Sequence, residues 1–306
     1  MTDQIDQVDQ KAYPGPTLRQ LATFVAVARA GSTRAAAERV ARSQSAASAA
    51  LAELESVLGV SLFDRVGRRL VLNEHGRTLL PRAVNLLEQA GDIRSMFAAH
   101  DAGTLRLAAS FTVGEYLLPP LIGRWKQAHP DVRVRLDIAN TRAVLDAVAG
   151  LEVDVGFIEG ARTHPDLEVA HWRDDELVVV AAAANPMAGR RVDRAWLRQA
   201  PWILREPGSG TREAADRWLV PGLGRFRIEM ELGSNEAVKR AVASGQGVGL
   251  LSIHAVAEAI DAGLLVRLST PLPPMRRALA IVTHRDRRPG QLLAAFLGHC
   301  REKTGV

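Results

Sequence analysis

Apolar residues recur at helical spacing through roughly the first hundred positions. Beyond Gly103 they gather into short runs separated by helical stretches. Leu18, Leu21, Phe24, Val25 and Ala28 share one face of a helix over 17–30. Gly31 ends that helix, and Ser32 is a good cap for a short alanine-rich helix over 33–41. Arg42-Ser43 breaks the chain again, and Ser43 caps a third helix that stops at Gly59, with Ala47, Leu51, Leu54 and Leu58 facing inward. Residues 60–76 carry a hairpin signal: Leu62-Phe63, then Gly67 among charges, then Leu70-Val71-Leu72. Asn73 caps a long helix over 74–99. Strand patterns then fall at 104–109, 132–139, 153–159, 177–182, 202–206, 227–232, 247–252 and 278–284, with helical patterns between them. Such alternation implies parallel sheets with crossover helices.

The long helix has a second pattern. Leu79, Ala83, Leu86, Ala90, Ile93 and Phe97 alternate in spacing of four and three, as in a coiled-coil seam, with Pro81 inside the second turn. The stripe either pairs two copies of the chain or packs on the chain's own body.

Composition narrows the class. Of 306 residues, 47% are hydrophobic and 24% charged, enough for real cores in a water-soluble chain. No apolar run approaches the roughly 18 residues of a bilayer span. The polar, acidic start lacks the apolar stretch of a signal peptide, so a cytoplasmic protein without a membrane partner is expected. The single cysteine, Cys300, excludes an intrachain disulfide. The net charge of +5 is unevenly distributed. Residues 1–16 hold one Lys and three Asp, a flexible acidic tail, whereas residues 17–72 hold eight Arg and four acids. A basic unit behind an acidic tail points to an anionic polymer.

The third helix shows how such a polymer is met. Gln44, Ser45 and Ser48, with Ala49 and Ala52, form a face of small or hydrogen-bonding side chains, and Ser43 stands at its head. Such a face lets a helix approach the major groove, where Gln pairs with adenine and Ser bonds base edges or phosphates. Arg65, Arg68 and Arg69 crowd the hairpin tip, as on a wing that meets the phosphate backbone.

The run from Leu18 to about Leu87 resembles the DNA-binding half of LysR-type transcriptional regulators. The resemblance is carried by Phe24, Gly31-Ser32, Ala36-Ala37, Ser43-Gln44-Ser45-Ala46, Ser48, Leu54-Glu55, Leu58-Gly59, Leu62-Phe63, Arg65 and Gly76. It implies that Gln44, Ser45 and Ser48 read bases while Arg34, Arg42, Arg65 and Arg68 hold the backbone. It further implies a linker helix that pairs subunits into a homodimer or homotetramer on a double-stranded operator, and leaves RNA polymerase open as a further partner.

The expected architecture is α/β. An all-α winged helix-turn-helix domain over 17–73 and a linker helix over 74–102 precede an effector domain over 103–306. The resemblance makes that last domain two-lobed and similar to periplasmic binding proteins, with lobe I about 103–166 and 271–306 and lobe II about 167–270. Ligands of such sheets collect at strand carboxyl ends. Three such ends lead into helices with hydroxyls beside free N–H groups: Ser110 and Thr112, Thr141, and Ser209 and Thr211 within LREPGSGTRE. This set either holds a small anion or simply caps helices. LREPGSGTRE lacks the Lys of a nucleotide loop, since Thr211-Arg212 follows Gly210. Glu159, Arg205, Glu206 and Glu236 either tune the pocket or are ordinary strand-end residues. AASFTVGEYLLP and REPGSGTRE look most like the branch that includes sulfur- and carbon-assimilation regulators, which suggests small oxyanions, compact carboxylates or phosphometabolites; a larger organic effector stays open.

The eight histidines form no metal spacing, and no nucleophile elbow or dinucleotide fingerprint appears, so no cofactor, metal or enzymatic activity is expected. The competing class is a solute-binding protein without a DNA role.

Overall fold

The computed structural model describes residues 15–39, 43–67, 69–97, 103–160, 162 and 164–302. Arg42, Arg68, most of the acidic tail and the end of the linker lie outside the described residues, as does the side chain of Phe97. The chain divides into two compact units, one of residues 1–98 with 286–288 and the other of residues 99–285 with 289–306.

The first unit is built from local signals. Helix α1 (Leu18–Ala30) begins at a capping box between Thr17 and Gln20 and ends at Gly31, whose φ of 66° suits glycine. Helices α2 (Thr33–Arg39) and α3 (Gln44–Leu58) follow, and Ser43 caps α3 by accepting from the Ala46 N–H. Strands β1 (Phe63–Val66) and β2 (Arg69–Leu72) form the antiparallel wing. The wing is fastened at both ends: Glu55 accepts from the Leu62 N–H at 2.7 Å, and Gly31 O accepts from the Leu70 N–H at 2.8 Å. Asn73 heads α4 (Glu74–Phe97), accepting from the Gly76 N–H at 3.0 Å while its amide donates to Ser61 O at 2.8 Å. Leu21, Phe24, Val27, Leu54, Leu62 and Phe63 are buried, with the rings of Phe24 and Phe63 5.6 Å apart.

Helix α4 runs on through Pro81. Its apolar residues divide between two faces. Leu80, Ala83 and Val84 are buried, while Leu86 and Ile93 are 49% and 61% exposed, and Leu79 and Ala90 are half-buried. Ala83 therefore leaves the expected pairing stripe: at 0% exposure it serves the core of its own unit.

In the second unit a nine-stranded mixed sheet runs in the order β4-β3-β5-β11-β6-β9-β7-β8, with β10 (Leu265–Arg267) beside β6. Strands β3 (Thr104–Ser110), β4 (Arg133–Ala139) and β5 (Val155–Glu159) are parallel at one end. At the other end β7 (Pro201–Arg205), β8 (Arg227–Leu232) and β9 (Val248–Ser252) are parallel. Between them lie two long antiparallel strands, β6 (Leu167–Ala182) and β11 (Met275–His284). A π-helical turn (Val113–Leu117) and helices α5 (Leu118–Ala128), α6 (Thr141–Ala149), α7 (Arg194–Gln199), α8 (Gly210–Leu223), α9 (Asn235–Ala243), α10 (Ile253–Asp261) and α11 (Gln291–Glu302) cover both faces.

Covering both faces explains the continuous apolar strands. Leu177, Val179 and Ala181 enter one core and Val178 and Val180 the opposite one, in the two-residue period of a pleat. The same division separates Leu105, Leu107 and Ala109 from Ala108. The passage between halves, which the expected lobe bounds put at about 166–167, lies instead inside β6. Residues from Leu167 to Leu177 pair with β11 beside β5, whereas Leu177 to Ala181 pair with β9. Its polar first half, LEVAHWRDDE, hid it as a strand.

Gly76 offers a test of the wing. A Cβ there would lie 2.2 Å from Leu62 O and 2.7 Å from Leu72 Cδ2. On an open helix Gly→Ala stabilises by about 1 kcal/mol. Here Gly76→Ala is expected to destabilise the first unit by about 3 kcal/mol through overpacking, measured by hydrogen exchange of α1–α4 in the full-length chain under increasing urea. A gain in protection would refute the packing argument.

Candidate functional site

The hydroxyls singled out in the sequence converge in the second unit. Strands β3 and β5 run toward the crossing from one half of the sheet and β7 and β8 from the other half in the opposite direction, and helices α6, α8 and α9 begin where these strand ends meet. Ser110, Thr112, Thr141, Ser209 and Thr211 are each at most 1% exposed. Glycine lets the two halves meet: at Gly210 a Cβ would lie 2.4 Å from Glu159 O and 2.9 Å from Thr141 Oγ1. Gly208, at φ 92°, accepts through its carbonyl from the Arg142 N–H at 3.3 Å.

The side chain at the centre is Glu159, the last residue of β5. Its Oε1 accepts from the Thr112 N–H at 2.7 Å. Its Oε2 accepts from Thr211 Oγ1 at 2.9 Å and Arg277 Nη1 at 2.7 Å. Arg277 also donates from Nη1 to Thr211 Oγ1 at 2.9 Å, from Nη2 to Thr112 Oγ1 at 3.1 Å and from Nε to Asp175 Oδ2 at 2.8 Å. Asn235 extends the network, donating to Thr112 Oγ1 at 3.2 Å and accepting from Arg205 Nη1 at 2.6 Å. Arg205 is clamped by both oxygens of Glu206 and lies 4.4 Å over the Phe111 ring. Tyr116 donates to Glu236 at 2.9 Å.

Burial alone would push the Glu159 carboxyl up. The Arg277 guanidinium and the bonds from Thr112 and Thr211 outweigh it, and the group lies below the usual carboxylate range. Glu159 and Asp175 both pair with the one guanidinium of Arg277, while the second buried guanidinium of the network, Arg205, is clamped by Glu206.

These positions sort the expected set. Thr112 and Thr211 belong to the central network. Thr141 donates its hydroxyl to Glu159 O at 3.4 Å, a backbone tie. Ser209 caps α8 by accepting from the Thr211 N–H at 3.2 Å, so capping accounts for it. Ser110 Oγ is buried with no hydrogen-bond partner among the described residues. The expectation that these donors stand free is corrected: the best of them already hold an internal carboxylate. Of the four charged residues left undecided, Glu159 is central, while Arg205 and Glu206 are paired at the margin, and Glu236 accepts from Tyr116. Arg277, Asp175 and Asn235 escaped the sequence reading. Arg277 lies at the polar head of a strand whose expected start was Ala278.

In the first unit Ser43 is a cap, and its Oγ lies 3.0 Å from Ser45 Oγ. Gln44, Ser45 and Ser48 are exposed on the first turns of α3. Arg34, Arg65 and Arg69 are exposed and form no ion pair among the described residues. Cys300 is wholly buried, and burial pushes its thiol up to about 12, which suits packing. No group of His, Cys, Asp and Glu among the described residues could hold a metal ion, and no described helix is long and apolar enough to cross a membrane.

Residues 18–77 match the bacterial regulatory helix-turn-helix protein of the lysR family, and residues 98–305 match the LysR substrate binding domain. The chain is 46% identical over 284 residues to the uncharacterized HTH-type transcriptional regulator YeiE of Escherichia coli strain K12, covering 93% of this chain and 97% of that one. A point variant of full-length OxyR from Pseudomonas aeruginosa is similar in structure, with a TM-score of 0.73 and 26% identity, over 93% of this chain and 94% of that one. The regulatory domain of Synechocystis PCC6803 CcmR in complex with 2-PG has a TM-score of 0.62 and 29% identity, over 66% of this chain and 98% of that one. The chain belongs to the LysR family of transcriptional regulators, with a helix-turn-helix unit ahead of a LysR substrate-binding domain.

Proposed function

We propose that this regulator binds its operator through Gln44, Ser45 and Ser48 of α3, with Arg34, Arg65 and Arg69 on the phosphates, and that a compact anion taken up beside Glu159 controls it. The stripe of Leu79, Leu86, Ala90 and Ile93 on α4 pairs two chains in this reading, so that two copies of α3 meet a partly palindromic site. The observation that carries the effector reading is the convergence of the Thr112 N–H, the Thr211 hydroxyl and Arg277 on one carboxylate. Donors arranged for a carboxylate suit other small planar or pyramidal oxyanions. Their burial in low dielectric gives each bond to an anion more weight than it has in water. Glu159 and a free anion compete for the same donors, so uptake requires Glu159 to yield them. A ligand that does this shifts the balance between two states of the domain by its differential affinity for them. The 2-PG complex of the CcmR regulatory domain supports a compact phosphorylated acid as the second ligand class to test.

The deciding experiment is a gel shift on the DNA upstream of the protein's own gene, with and without sulfate, sulfite, phosphate, nitrate and 2-PG. Sequence-specific retention that one of these anions alters supports the reading; no specific retention at any salt concentration overturns it.

Two substitutions should separate the two functions. Thr211→Val keeps the side chain's shape and removes the hydroxyl that faces Glu159. It should abolish the anion response in that gel shift and leave operator binding unchanged. Ser48→Glu places a charge against phosphates and should weaken operator binding by about a hundredfold or more, with the anion-induced thermal shift intact. If Thr211→Val lost operator binding instead, the loop would be structural.

Glu159→Gln should strengthen anion binding in isothermal titration, because it removes the competing charge and leaves Arg277 paired with Asp175. It should also flatten the acid limb of stability. A carboxyl held below its ordinary value contributes stability above the unfolded pKa of about 4.3, and that contribution is lost as pH falls through the lower folded value. Melting temperature between neutral pH and about pH 3 should therefore fall more steeply in the wild type than in the Gln variant. Parallel curves would argue against a buried, charged Glu159.

A further inference from the structure

The chain passes between the two halves of the sheet along β6 and β11, and the residues paired there are chemically unusual. Arg277 and Asp175 are register partners at this crossing. One oxygen of Asp175 faces the effector site: Oδ2 accepts from Arg277 Nε at 2.8 Å and lies 2.7 Å from Nη2. The other faces away: Oδ1 accepts from Ser252 Oγ at 2.6 Å. Ser252 is the last residue of β9 and the cap of α10, and the same Oγ accepts from the His254 N–H at 3.1 Å. Asp175, Arg277 and Ser252 are all at most 5% exposed.

A buried carboxylate is tolerated only while its partners compensate it. Asp175 has one guanidinium and one hydroxyl. When Arg277 turns toward an incoming anion, Asp175 loses part of its compensation and must draw harder on Ser252, whose hydroxyl also holds the first turn of α10. We propose that Asp175 is a positioning residue that couples displacement at Arg277 to the N-terminus of α10, so that the effector site acts on this helix through the hinge strands themselves. The inference rests on the reading that Arg277 belongs to the effector site.

A cycle of variants tests it without any ligand. Glu159→Gln in the full-length protein releases part of Arg277, and hydrogen exchange reports on the 253–261 segment. Exchange there is expected to change by about threefold or more, the lower range of coupling within one polar network. In an Asp175→Asn or Ser252→Ala background the same Glu159→Gln change should have little further effect on α10. Should Asp175→Asn fail to fold, Ser252→Ala, which removes a single hydroxyl, carries the test. An equal response in all backgrounds, no response, or a change spread evenly over α5 and α11 would overturn the proposal, because a merely structural carboxylate would lower protection without coupling. The effector reading fails separately: it is lost if sulfate, sulfite, phosphate, nitrate and 2-PG produce no thermal shift in the wild type, an outcome that leaves the exchange cycle standing.

Discussion

The contact between Arg277 and Glu159 is the constraint around which the second unit is arranged. Two opposite charges, each almost without solvent, persist only when further hydrogen bonds replace the lost water. Here each oxygen of Glu159 has a donor in addition to, or instead of, the guanidinium. Supplying them takes a backbone N–H after β3, a hydroxyl at the head of α8 and an arginine from the far end of the chain. The close approach at Gly210, the ends of strands that run toward each other from the two halves and the antiparallel placement of β11 all meet this one demand. Any other residue at Gly210 would hold the loop away from Glu159 and leave the carboxylate short of a donor.

How far the sequence reveals this depends on the distance between partners. The helices of the first unit were largely legible because their starts and stops are local: Gly31, Ser43, Gly59 and Asn73 each act on the adjoining turn, although Gly31 and Asn73 also reach Leu70 and Ser61 to fasten the wing. The strand-end hydroxyls were also legible, since a hydroxyl between a strand and a helix is a local pattern. Arg277 was not, because its partners Glu159 and Asp175 lie 118 and 102 residues away in sequence. Nor was the first half of β6, where charged residues interrupt the apolar alternation on which a strand is recognised. Those charges mark the crossing: at Asp175 the strand leaves one core for another, and its side chain meets Arg277 where an apolar residue would be expected.

Serines show where local chemistry stops being informative. Ser43 and Ser209 have the same pattern, a hydroxyl one residue before a helix, and both cap. Thr211, two residues further on from Ser209, does something different because Glu159 happens to face it. Helix N-termini in proteins routinely carry both kinds of residue, and only the tertiary partner separates a cap from a donor to a buried carboxylate. The same reasoning removes Ala83 from the α4 stripe. Its spacing is that of a seam residue, but α4 has two apolar faces, and Ala83 lies on the inner one.

The helix starts in the two units use one physical resource in opposite surroundings. At the head of α3 the free N–H groups and the side chains of Gln44, Ser45 and Ser48 stand in water, where each bond to an anion exchanges for one to solvent and is weak alone. Affinity there must come from many contacts and from the arginine charges, which suits a long polyanion. At the head of α8 and just after β3 the donors are buried, so a few bonds suffice, and leaving them unmade is costly. The Glu159 carboxylate occupies the Thr211 hydroxyl at the head of α8 and the Thr112 N–H, while Asn140 and Ser234 cap α6 and α9. Occupation by an internal carboxylate satisfies these buried donors within the chain itself. At Gly210 the backbone of Glu159 leaves no room even for a Cβ. Close approach of the two halves and compensation of the buried charge therefore depend on the same few atoms.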